Sequence, residues 1–225
     1  MSSVSRRRVG ILAAATTTAF AAALVGPATA SGTVERSAQA APGDPVNYGD
    51  VITLENQHGG SGGYLDTRNA AGVSGAKYGV STATKPNRDN GSGRWKIVNA
   101  ADAAKTGRVN NGDVVQLVNQ YNGGRGGYLD ANQPANMSGS KYKVYTTDKR
   151  DRDSGSGQWT VMATSGQSGP IVEGGGIHLL NRYKDNGGFL DTRNHATDGN
   201  KYGVVTSNSW DRDKGSGTWK VGKVG

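Results

Sequence analysis

The sequence has no cysteine, two phenylalanines, three methionines and three histidines in 225 residues. Without cysteine it has no disulfide and no thiol nucleophile, so its stability has to come from a packed core. Glutamate occurs only as Glu35, Glu55 and Glu173. His58, His178 and His195 lack metal-ligand spacing, and no Gly-x-Ser-x-Gly nucleophile turn is written. A catalytic site needs one asymmetric constellation of acid, base or nucleophile. These absences argue against an enzyme, a resident metal and a cofactor. No Lys/Arg cluster follows the first residues, so the formal charge of +8 is spread out and argues against a nucleic-acid partner.

No apolar run of spanning length lies beyond the first thirty residues, so no membrane span is expected. Residues 1–30 themselves read as a secretory signal, with Arg6, Arg7 and Arg8 before an alanine-rich run that Gly26 and Pro27 end. Small-residue triplets place the cut after Ala30 or after Ala40. The expected product is a secreted, extracellular protein. Losing three arginines and no acid lowers its net charge to +5, from 23 Lys+Arg against 18 Asp+Glu. Residues 31–45 are small, polar and Pro/Gly-bearing and read as a flexible lead-in to a domain over 46–225.

That domain is written three times, at residues 49–98, 112–162 and 175–221. Asn56, Asn119 and Asn181 align, as do Asp66, Asp130 and Asp191 inside "GGYLDTRN", "GGYLDANQ" and "GGFLDTRN". "KY" recurs at 77, 141 and 201, and "RD-x-GSG-x-W" ends at Trp95, Trp159 and Trp219. Each copy holds four short runs rich in β-branched and aromatic residues, separated by Gly, Asn, Asp and Pro; the first has "VITLEN", "GYLDTRN", "KYGVSTA" and "RWKIV". The chain is therefore read as all-β.

A fifty-residue unit with so few large apolar groups cannot bury enough surface alone, and three units are too few for a propeller. A closed object with one shared centre and few edges fits: a β-trefoil of three four-stranded repeats with pseudo-threefold symmetry. Its expected core is Leu54, Leu117 and Leu179 or Leu180; Leu65, Leu129 and Leu190; Val80, Val144 and Val204; the three repeated tryptophans; and Ile97, Val161 and Val221.

"GGYLDTRN" followed by a valine-bearing strand and "GSGRWKIV" resembles the lobe of ricin-type and related β-trefoil lectins, over residues 49–221. That family's lobe closes with Gln-x-Trp. Here Gly93, Gly157 and Gly217 stand two before the tryptophans, the disulfides are missing, and no third-strand aromatic sits at the expected place. The resemblance implies a lectin for glycans or polysaccharides, with Asp66, Asp130 and Asp191 as sugar ligands.

Side-chain alternation along a strand independently puts Leu inward and the next Asp outward, where a carboxylate could accept from a sugar diol or pin a loop. His58, Tyr121 and Tyr183 could stack on a sugar or pack the loop. Asn56, Asn119 and Asn181 could donate to a hydroxyl or close a turn. Trp210, whose counterparts are Pro86 and Arg150, is a candidate stacking platform. "DRDSGSG" and "DRDKGSG" resemble calcium loops, but the arginine between the acids favours an Arg–Asp network. The expectation is a monomer with up to three shallow sugar sites. The rival is a β-trefoil protein-binding module, such as a protease inhibitor, using connector 99–111 or 163–174.

Overall fold

A computed structural model describes residues 43–196 and 200–225. The signal segment and residues 31–42 lie outside the described residues. The compact unit is Ala40–Gly225, and its strands join into one twelve-stranded antiparallel sheet that closes on itself. The first repeat supplies β1 (Val51–Asn56), β2 (Gly63–Ala70), β3 (Tyr78–Ala83) and β4 (Trp95–Asn99). The second supplies β5 (Val114–Asn119), β6 (Gly127–Pro134), β7 (Ser140–Thr147) and β8 (Trp159–Ala163). The third supplies β9 (Gly176–Asn181), β10 (Gly188–His195), β11 (Tyr202–Ser207) and β12 (Trp219–Lys223).

Closure has two tiers. The first and fourth strands of the repeats pair around a ring, β1–β4–β5–β8–β9–β12 and back to β1. The second and third strands form the hairpins β2–β3, β6–β7 and β10–β11. These hairpins meet one another through β3–β7, β7–β11 and β11–β3, capping one end of the ring. Closure leaves few strand edges to protect from other chains.

The core sits on the pseudo-threefold axis. Trp95, Trp159 and Trp219 are fully buried, with Leu54, Leu65, Leu117, Leu129, Leu179 and Leu190 around them. The third-repeat choice falls on Leu179; Leu180 is half-buried. Each indole N–H donates to the carbonyl of the same repeat's second-strand leucine: Leu65 at 2.9 Å, Leu129 at 3.0 Å and Leu190 at 3.0 Å. A buried Trp thereby keeps its one polar group satisfied.

The other end of the ring carries a feature the repeats did not announce. Val46 N–H donates to Ile171 O, Val109 N–H to Val46 O, and Ile171 N–H to Val109 O, each at 2.8 Å. The three side chains are buried together. Single bridges flank them, Pro45 with Val172, Asn47 with Arg108 and Asn110 with Pro170. So residues 43–45, flexible by composition, are packed: Glu173 N–H donates to Asp44 O at 2.9 Å, and Lys223 Nζ reaches Pro45 O at 3.2 Å. The ends of connectors 99–111 and 163–174 are tied into the same plug.

Leu129 is fully buried beneath its repeat's tryptophan. Leu129→Ala should lower unfolding stability by about 2–5 kcal/mol, because the closed ring cannot collapse into the void. Urea titration with tryptophan fluorescence checks this.

Candidate functional site

The aligned Asp of each repeat was expected on the outer face; all three are fully buried. Strand alternation fails here because both faces of the second strand are covered. Leu65, Asp66 and Thr67 are buried in succession, as are Leu129–Ala131 and Leu190–Thr192. The Gly-Ser-Gly loop lies across the second strand, with Thr67 N–H donating to Ser92 O at 3.0 Å, Ala131 N–H to Ser156 O at 2.9 Å and Thr192 N–H to Ser216 O at 3.0 Å.

Each carboxylate is spent inside that crossing. Ser92, Ser156 and Ser216 hydroxyls donate to Asp66, Asp130 and Asp191 at 2.7, 2.6 and 3.0 Å. Arg88, Arg152 and Arg212 pair with the same acids at 2.9, 3.1 and 3.0 Å. Each guanidinium also donates to the next carbonyl, Thr67 O, Ala131 O or Thr192 O. The Arg–Asp network expected within the "DRD" stretch therefore reaches to another strand. The flanking acids close turns instead: Asp151 and Asp211 accept from Gly155 and Gly215 N–H, and Asn87 does the same for Gly91 in the first repeat. No group of three or more His, Cys, Asp or Glu among the described residues could hold a metal ion.

Burial pushes the Asp66 carboxyl up to about 6, against the Ser92 hydrogen bond and the Arg88 charge, which pull it down. Burial raises Asp130 and Asp191 as well.

The aligned asparagines are fully buried too, so their use as sugar donors is corrected to clasps between repeats. Asn119 Nδ2 donates to Ser92 O at 2.7 Å, Asn181 to Ser156 O at 2.8 Å and Asn56 to Ser216 O at 2.7 Å, each reaching the preceding repeat around the ring. Their Oδ1 atoms accept from the N–H of His58, Tyr121 and Tyr183. The paired glycines answer to the same crowding. A Cβ on Gly62 would stand 2.2 Å from Asn56 Oδ1, and Gly63 holds φ of +92°, which side chains avoid.

What the repeats leave open to ligands is a notch at each boundary between them. Tyr78 meets Tyr121 edge-to-face at 5.5 Å, Tyr142 meets Tyr183 at 5.1 Å, and Tyr202 meets His58 at 5.2 Å. The third-strand tyrosines are set by the next repeat: their N–H groups donate to Thr146, Thr206 and Thr82 Oγ1. The first notch has a volume of about 90 Å³ and is lined by Thr67, Arg68, Asn69, Tyr78, Arg88, Asp89 and Tyr121. Asp89, Asp153 and Asp213 are exposed counterparts, and Tyr183 Oη donates to Asp153 at 3.2 Å. The third notch differs: His58 Nδ1 lies 2.9 Å from Asp213 O, and His195 stacks on Tyr202 at 5.2 Å.

His58, Tyr121 and Tyr183 thus come together with functional partners, whereas Asp66, Asp130, Asp191, Asn56, Asn119 and Asn181 line the scaffold beneath. Trp210 belongs to none of these notches; it packs edge-on to His178. Sequence reasoning missed Tyr78, Tyr142 and Tyr202 as notch walls, although the repeated "KY" marked them.

No protein-family model matches the chain, and no curated protein matches it either. Solved structures do. A Caenorhabditis elegans protein of unknown function aligns at 18% identity and a TM-score of 0.60, over 79% of this chain and 96% of that one. The SDF2-like protein from Arabidopsis thaliana aligns at 16% identity and 0.58, over 79% and 94%. The S. cerevisiae protein O-mannosyltransferase Pmt1-Pmt2 complex, bound to the sugar donor, aligns at 17% identity and 0.59, over 80% of this chain and 25% of that one. At these identities the likeness is one of fold.

The folded chain holds the Asp66 proton more tightly than the unfolded chain, whose ordinary value is 3.8. The stability this supplies is complete below that value and lost as pH rises through about 6. Wild-type stability should therefore fall between those limits relative to Asp66→Asn, which carries no titrating group. Urea midpoints of the two proteins across the window test the sign.

Proposed function

We propose that the protein is a secreted, monomeric β-trefoil that binds carbohydrate without covalent chemistry, in the notches between its lobes. The observation that carries this reading is the threefold notch: an edge-to-face aromatic pair, a half-exposed arginine and an exposed carboxylate, repeated at each lobe boundary. An aromatic wall takes the C–H face of a sugar ring. The carboxylate accepts from its hydroxyls, and the arginine donates to them. The sugar ligands inferred from the lectin resemblance, Asp66, Asp130 and Asp191, are replaced in this role by Asp89, Asp153 and Asp213.

The reading also fits how rigidly the notch walls are set. Asn clasps fix the loops bearing His58, Tyr121 and Tyr183, so little side-chain freedom is lost when a ligand docks. Three such places on one body suit a polymer that repeats the same sugar, because weak contacts then add through effective concentration. The monomer and the extracellular destination belong to the proposal and rest on the sequence.

On a glycan array the secreted chain should bind a polymeric glycan. Combined His58→Ala, Tyr121→Ala and Tyr183→Ala should weaken that binding by about 100-fold through lost avidity. Each single change should cost far less. An array without any bound glycan, or a triple variant binding as wild type does, sinks the reading. Capture of a protease that survives the triple change but not replacement of 100–107 points to the inhibitor alternative.

A further inference from the structure

Threefold symmetry makes its exceptions conspicuous, and one surface breaks it. Among the described residues the exposed large apolar side chains are Met162, at 37%, and Trp210, at 60%. Both lie against the same buried histidine. His178 sits directly across from Met162 in the β8–β9 pairing, and its ring meets the Trp210 indole edge-to-face at 4.8 Å.

The corresponding places in the other lobes have different work. In the second lobe the pair is Arg150 and Gln116: Arg150 Nε donates to Gln116 Oε1 at 2.8 Å, and its Nη2 donates to Asn99 O and Ala100 O. In the first lobe the pair is Pro86 and Thr53. A polar brace that ties down a connector has thus become an aromatic pair that presents one ring to solvent. Burial gives an indole its usual energetic return; here most of the ring stays wet.

The platform is held rigidly. Asp211 accepts from Gly215 N–H through both oxygens, at 3.0 and 3.1 Å, and Arg212 is anchored to Asp191. A Cβ on Gly217 would stand 2.2 Å from Trp210 O, so the loop packs against the backbone that bears the ring. Beneath the ring, His178 Nδ1 is 2.8 Å from Gly217 O and donates to it, which leaves Nε2 as an acceptor. That Nε2 is buried with no hydrogen-bond partner in the fold. A buried polar atom left unpaired calls for an explanation.

We propose that Trp210, positioned by His178, is a further carbohydrate subsite, one per molecule and outside the three notches. The inference rests on the carbohydrate reading above. Its ligand is a pyranose ring of a polysaccharide, stacked by its C–H face on the open face of the indole, with Met162 at one side. Two apolar side chains fall far short of the roughly 800 Å² that each partner of a stable protein complex contributes. A single ring-sized platform suits a ring-sized ligand. The site extends one glycan chain's contact from the cap-side notches to the flank of the ring.

Three of the four tryptophans are fully buried, so acrylamide quenching reads Trp210. The probes are soluble cello-, xylo-, manno- and chito-oligosaccharides, and the proteins are the wild type, Trp210→Ala, Trp210→Phe and the notch triple variant. A bound oligosaccharide should shield Trp210 from quencher in the wild type. Trp210→Ala should bind about tenfold more weakly, within the range that ring stacking on an aromatic side chain supplies, and Trp210→Phe should recover part of it. Shielding that persists in the notch triple variant supports a separate subsite. Binding that Trp210→Ala leaves unchanged, with Trp210 still open to quencher, overturns the subsite and leaves the notch reading standing. Self-association abolished by Trp210→Ala makes the patch a contact between copies and also overturns it. If no oligosaccharide in the panel binds any of the four proteins, both proposals fall.

Discussion

Three carboxylates are sealed inside this protein, and the rest of the architecture follows from how that is tolerated. An ionised group removed from water is costly unless it is paired and hydrogen-bonded. Each of these acids meets a serine hydroxyl and an arginine, and the loop that supplies both must cross the second strand to deliver them. That crossing brings the following tryptophan into the centre, where its N–H finds the leucine carbonyl one residue before the acid. The repeated "LD" and "GSG-x-W" are thus two halves of one contact. Removing a single partner would strand the others, which gives every lobe the same requirement.

The lobes are joined by the same economy of polar groups. A buried asparagine of one lobe holds the serine carbonyl of its neighbour, and a threonine hydroxyl of one lobe receives the tyrosine N–H of another. Both sets of bonds run in the same rotational sense and close after three steps. The aromatic notches are a by-product of this closure. They occur where two lobes present the ends of their loops to each other, so neither lobe owns one alone.

Much of the fold was legible in the sequence because the repeats align residue by residue. Strand bounds, the tryptophan–leucine–valine core and threefold closure can all be read from periodic β-branched and aromatic runs. The candidate site was less legible. Strand alternation assumes one solvated face, and that assumption broke at Asp66, Asp130 and Asp191 because a loop remote in sequence covers them. A repeated acid between apolar residues carries the same letters whether it faces a sugar or a serine. The notches escaped notice because each joins residues of different repeats, such as Tyr78 with Tyr121. The plug of Val46, Val109 and Ile171 was hidden because its residues lie outside the aligned blocks and share only their apolar character.

That plug has a topological meaning. The first ordered stretch of the chain and the last strand meet there, with Lys223 bonded to Pro45. Walking around the ring, the passage from third lobe to first resembles the other two, except that no peptide bond spans it. The polypeptide is wound as a loop whose opening point is arbitrary. Joining its ends and cutting within one exposed connector would leave every clasp, crossing and notch where it is. A protein of this kind can be re-strung without being re-folded, and its lobes need not keep their order along the gene to keep their places in space.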